Sequence, residues 1–137
     1  MKKINKQKTS DKKTKLQKKI KEKILTGIVH IRSTFNNTII TLSRLNGEVL
    51  GQSSAGIIGY KGTKKSTPYA AQMAIADVLE IAKNYKMENL EVRIKGIGSG
   101  RNSVLRALEA ADIKLISIAD VTPLPHNGCR APKKPRV

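Results

Sequence analysis

The chain has 137 residues, with 27 Lys+Arg against 10 Asp+Glu, a net charge of +17 and one cysteine. That length supports one folded body with tails rather than two cores. A lone Cys129 and two distant histidines, His30 and His126, exclude an internal disulfide and a zinc-finger ligand set, and no apolar run reaches the ~18 residues of a membrane span.

The cations gather at the ends. Residues 1–23 hold eleven lysines and two acids, and residues 121–137 hold Arg130, Lys133, Lys134 and Arg136 with no acid. Such an excess calls for a polyanionic partner, nucleic acid ahead of an anionic membrane surface. Residues 1–23 read as a lysine-rich extension, disordered until bound. Leu16, Ile20 and Ile24 have helical spacing, but three apolar residues among so many lysines cannot hold a free helix. The start also lacks the apolar stretch of a secretory signal and the Arg and Ser bias of a transit peptide.

Residues 24–120 read as a globular α/β domain. Gly27–Ser33 and Asn37–Arg44 are β-branched runs joined by a short turn, and Leu45-Asn46-Gly47 is a hairpin signal leading into a third strand, Glu48–Ser53. In the second strand Ile39 and Thr41 alternate with Ile40 and Leu42, which predicts partial cover on both faces. Ser54–Thr67 reads as a loop. Thr67-Pro68 is an N-cap with proline in the first turn, opening a helix over Pro68–Tyr85 whose Met73, Ile75, Val78, Leu79 and Ile81 are predicted to face the core. A strand at Leu90–Lys95, a glycine turn, a helix at Arg101–Ala111 and a strand at Lys114–Ala119 complete the body. The order βββαβαβ predicts a five-stranded mixed sheet with helices packed on it, in ribonuclease-H-like order. Residues 121–137 form a proline-rich, basic extended arm.

Three segments carry binding chemistry. In the first, Lys61, Gly62, Lys64, Lys65 and Ser66 precede a helix N-terminus, a good setting for phosphate, although the GxxxxGK[ST] spacing of a nucleotide P-loop is absent. In the second, Gly98, Ser99, Gly100 and Arg101 form a strand-to-helix turn. Its G-x-G-x-G spacing departs from the dinucleotide fingerprint, leaving either a backbone phosphate contact or a tight turn. In the third, His126, Asn127, Gly128, Arg130, Lys133, Lys134 and Arg136 lie on a stiffened arm suited to a phosphate groove. With four aromatic residues the chain is poorly equipped for base stacking. A metal-dependent nuclease of ribonuclease-H order needs clustered carboxylates, one of them on the first strand, and Gly27–Ser33 has none. No catalytic residues, metal ligands or cofactor are assigned, and the chain reads as a phosphate- and shape-reading protein for folded RNA.

Phe35-Asn36-Asn37-Thr38, Ser54-Ala55-Gly56, Lys61–Ala71, Gly98–Arg101 and Asp120–Arg130 together closely resemble the small-subunit ribosomal protein eleven family in its bacterial and plastid type. The likeness runs from about Gly27 to Val137, with Ile97 standing where the family usually has proline. The resemblance implies a structural constituent of the small ribosomal subunit, not an enzyme. It implies rRNA binding on the platform through the three segments above, bridging rRNA helices and lining the messenger exit and Shine–Dalgarno cleft. Ribosomal proteins seven and eighteen are the implied neighbours, with messenger RNA nearby, no membrane and no homo-oligomer. A basic adaptor or RNA chaperone outside the ribosome is the alternative. Twenty lysines to seven arginines and 16 isoleucines suggest A+T-rich coding, which favours a plastid stroma over a bacterial cytoplasm.

Overall fold

The computed structural model describes residues 23–136, so the expectations for the lysine-rich extension lie outside the described residues, apart from Lys23. Five strands, β1 (Thr26–Ser33), β2 (Thr38–Arg44), β3 (Val49–Ser54), β4 (Asn89–Gly96) and β5 (Lys114–Asp120), form one mixed sheet in the order β3-β2-β1-β4-β5. The first three make an antiparallel meander, and β4 and β5 add in parallel with β1. The two crossovers, through α2 (Pro68–Asn84) and α3 (Gly100–Glu109), advance across the sheet in the same direction. Right-handed connections then set both helices on the same face. The predicted α/β class and strand order are what the chain adopts.

Strand alternation defines the core. Val29 faces Leu42 and Val92 in register, and Ile31 faces Ile40 and Ile94, all buried beneath Ile75 and Val78 of α2 and Val104 and Leu108 of α3. The opposite face carries no helix among the described residues, and its cover is partial: Ile28 and Ser43 on it are buried, whereas Ile39 is 37% exposed. A single-sided layer follows from the same-handed crossovers, because both helices lie over the other face.

Two local expectations are corrected. The stretch read as a loop contains a short helix α1 (Ala55–Ile58) and a 3-10 turn (Gly62–Ser66). Ser54 caps α1 by accepting from the Ile57 amide at 3.2 Å, and Gly59 ends it in the left-handed region at φ 119°. In α2 the buried side chains are Ala70, Ala71, Ala74, Ile75, Val78 and Ala82, with Leu79 and Ile81 half-buried against the core as expected, whereas Met73 is 39% exposed. The alanines let the helix axis lie close to the sheet, and that leaves Met73 on its flank. In α3, Val104 and Leu108 are buried, while Leu105 and Ala111 are half-buried.

Candidate nucleic-acid interface

Because β1, β3, β4 and β5 run parallel, the segments that leave their C-terminal ends all emerge at one edge of the sheet. These are the β1–β2 hairpin, the lysine loop after β3, the glycine turn after β4 and the arm after β5. Crevices at the C-terminal ends of parallel strands are where α/β folds place ligands.

The lysine loop is shaped by its own hydroxyls. Ser66 Oγ donates to the Thr63 carbonyl at 2.8 Å, and Thr67 Oγ1 donates to the Lys64 carbonyl at 2.8 Å while accepting from the Ala70 amide at 3.4 Å. Gly62, at φ 59°, starts the 3-10 turn that leaves Lys61 and Lys64 exposed and Lys65 half-buried. The loop and the hairpin tip enclose a concavity of about 440 Å³ lined by Phe35, Asn36, Gly62, Thr63, Lys65 and Ser66. Phe35 is 71% exposed beside these lysines and presents a bare aromatic face. The sequence had assigned Phe35 and Asn36 to a turn only. An aromatic at a hairpin tip, where it cannot reach a core, was the available signal.

The glycine turn is tied to both neighbours. Ser99 Oγ donates to the Ser66 carbonyl at 2.7 Å, which joins it to the lysine loop, and the Gly98 amide donates to the Ser33 carbonyl at 3.1 Å, which joins it to β1. Its glycines are needed for packing: a Cβ on Gly98 would overlap Ser33 Oγ and the Thr34 carbonyl, and one on Gly100 would overlap Thr38 Oγ1. Arg101 turns inward, donating from one terminal nitrogen to the Gly96 carbonyl and from the other to Asp120 Oδ2, both at 2.6 Å. The turn therefore serves as the hub of this edge, with Gly98, Gly100 and Arg101 each packed or hydrogen-bonded against neighbouring protein. Ser99 is exposed, and α3 starts without a side-chain cap because its hydroxyl is directed to Ser66.

The arm is rooted at the same hub. Thr122 donates to Asp120 Oδ1 from its hydroxyl at 2.6 Å and its amide at 3.0 Å, and its hydroxyl oxygen accepts from the Gly96 amide at 3.1 Å. These Thr122 hydrogen bonds, followed by the Arg101 contact, hold the Asp120 carboxyl down at about 2. Beyond Thr122 the chain runs to Arg136 without helix or strand, and His126, Asn127, Gly128, Arg130, Lys133, Lys134 and Arg136 are all exposed. Hydrogen bonds thus bring the three predicted segments to one edge, with the hairpin tip as a fourth member.

Residues 27–136 match the sequence model of the family described as Ribosomal protein S11. The chain is similar to the small ribosomal subunit protein uS11 of Buchnera aphidicola subsp. Baizongia pistaciae, 50% identical over 123 residues, covering 90% of this chain and 95% of that protein. It is likewise similar to the small ribosomal subunit protein uS11 of Wigglesworthia glossinidia brevipalpis, 52% identical over 121 residues, covering 88% of this chain and 92% of that protein. Both organisms are bacteria and lend no support to the plastid preference.

Proposed function

The chain belongs to the ribosomal protein S11 family, and from that membership we propose that it binds small-subunit rRNA through the C-terminal edge of its sheet. It is a non-enzymatic protein of the small ribosomal subunit and works on the ribosome. The observation that carries the binding proposal is the joining of the lysine loop to the glycine turn through Ser99, and of the glycine turn to the arm through Thr122.

In this reading Lys61, Lys64 and Lys65 meet phosphates around the mouth of the loop concavity, and Phe35 supplies a ribose- or base-sized apolar contact. The arm, carrying His126, Asn127, Gly128, Arg130, Lys133, Lys134 and Arg136, lies in an adjoining RNA groove. Ser99, Gly98, Gly100 and Arg101 fix the angle between the two. Residues 1–23 act as a cationic extension, 24–120 as the folded rRNA-binding body and 121–137 as the arm. The family resemblance supports a site on the platform, where the chain bridges rRNA helices beside the messenger exit and the Shine–Dalgarno cleft. It supports ribosomal proteins seven and eighteen as neighbours.

Cross-linking of intact small subunits, read by mass spectrometry, tests the proposal. RNA adducts are expected on Phe35, Lys61, Lys64, Lys65 and the arm. Adducts confined to the opposite sheet edge, around Glu48 and Asp112, would overturn it. A large free pool on a sucrose gradient would favour the adaptor or chaperone alternative.

A further inference from the structure

The helix-free face of the sheet has a chemistry that the edge described above does not use. Alternation puts His30 and Arg32 of β1, Ile39 and Thr41 of β2, and Glu91, Arg93 and Lys95 of β4 on this face. In register, Arg32 lies directly beside Lys95, and His30 directly beside Arg93. Like charges side by side on one sheet face repel, and this fold answers with little of its own. Glu91 stands at 3.8 Å from Arg93, a loose pair, and Arg32 and Lys95 have no ion pair among the described residues. His30 Nε2 shares a hydrogen bond with Ser43 Oγ at 3.0 Å, and burial, helped by Arg93, lowers its pKa below the ordinary value. The cations border a concavity of about 280 Å³ with Ile31, Ile39 and Val121 as its apolar parts.

A row of cations that the described residues meet with Glu91 alone, in a concave site, matches a polyanion. Phosphodiester backbone suits it better than exposed bases, because the one ring among the lining residues, His30, is half-buried against Ser43 while Arg32, Arg93 and Lys95 are exposed. The site also continues into the RNA edge: Lys95 precedes Gly96 of the glycine turn, and Val121, held by its amide to the Ile94 carbonyl at 2.8 Å, precedes Thr122 at the arm root. We propose that this face is a second RNA-backbone surface, where Arg32, Arg93 and Lys95 hold phosphates of a strand separate from the one at the lysine loop. Ile39 and Val121 contact its sugars. The inference extends the rRNA reading to a surface that reading leaves bare.

The full chain is titrated with a small-subunit rRNA transcript over a range of salt concentrations. The triple variant Arg32→Gln, Arg93→Gln, Lys95→Gln should flatten the log–log salt slope by roughly two to three units, since each lost phosphate contact removes slightly less than one. Lys95→Arg should keep the slope. Arg32→Gln alone should weaken binding while raising the melting temperature, because it relieves the repulsion from Lys95, and a purely structural residue would not show that pair of effects. The double variant Lys64→Gln, Lys65→Gln reports on the loop independently. An unchanged slope in the triple variant, with a reduced slope in the loop variant, overturns the second surface and leaves the first. No change in either set removes both. Cross-links from Lys95 to an acidic protein segment in intact subunits, with no RNA adduct, would also overturn the proposal.

Discussion

Asp120 accepts three hydrogen bonds, two from Thr122 and one from Arg101, on a carboxylate at the surface. Each favours the ionised form, so the folded-state pKa lies near 2 against an ordinary 3.8. A depressed carboxyl stabilises the fold above its unfolded pKa and loses that contribution as pH falls from about 4 towards about 2. The Thr122 and Gly96 amide resonances should therefore titrate together with a midpoint near 2, and Asp120→Asn should hold them at their acid positions at neutral pH. A midpoint near 4 would show that the clasp does not form in solution. Glycines give a second contrast. Gly96, at φ 106°, has the Ser33 backbone where a Cβ would sit, whereas Gly47, at φ 94°, faces open space. Gly96→Ala should cost more than about 3 kcal/mol in denaturant unfolding, and Gly47→Ala about 1–2 kcal/mol from backbone strain alone. Sequence could identify the glycine turn but not its purpose. Arg101 and Asp120 lie 19 residues apart with no spacing rule to pair them, so nothing in the sequence announced that the arginine expected at the RNA also holds its own loop.

At the level of elements, the strands were legible because alternation of apolar residues is set by the pleat itself. The register Val29–Leu42 and Ile31–Ile40 follows from that alternation and from the Thr34–Asn37 turn, where Thr34 Oγ1 accepts from the Asn37 amide at 3.1 Å. Less legible was α2. Weighing residues by hydrophobicity sends Met73 inward, yet close approach to a sheet selects the smallest side chains, and Ala71 and Ala74 are fully buried. Ala74→Leu should consequently destabilise by about 1–3 kcal/mol through overpacking. Met73→Ala should stay within about 0.5 kcal/mol, as surface changes do. Thermal and denaturant melts of the pair decide the point, and a cost at Met73 equal to that at Ala74 would reverse it. The short α1 escaped the sequence reading because four residues give no periodicity. Its Ser54 cap and Gly59 stop are visible only once the ends are known.

For the whole molecule, the parallel strands impose a polarity. Lys61, Lys64, Lys65, Arg101 and the arm cations emerge at the C-terminal edge with Asp120 the acid among them, whereas at the other end cations and acids are mixed and Glu48 and Glu88 pair with Arg44 and Lys23. Removing residues 1–23 takes away eleven of the 27 cations. It should flatten the salt dependence of RNA binding without changing the ranking of RNA targets. Removing residues 122–137 takes fewer charges but an arm whose prolines reduce the entropy lost on ordering. That deletion should impair small-subunit incorporation more than the first in a cellular competition, and the reverse result would mean that charge count outweighs preorganisation. β5 has a different bearing on the life of the chain. Among the described residues it pairs on one side only, and Ile116 and Ile118 are 52% and 49% exposed along it. An unpaired edge with open isoleucines is a template for another strand, including that of an identical molecule. A copy made in excess of its particle therefore carries its own route to insolubility, and balanced synthesis becomes a matter of protein quality as well as economy.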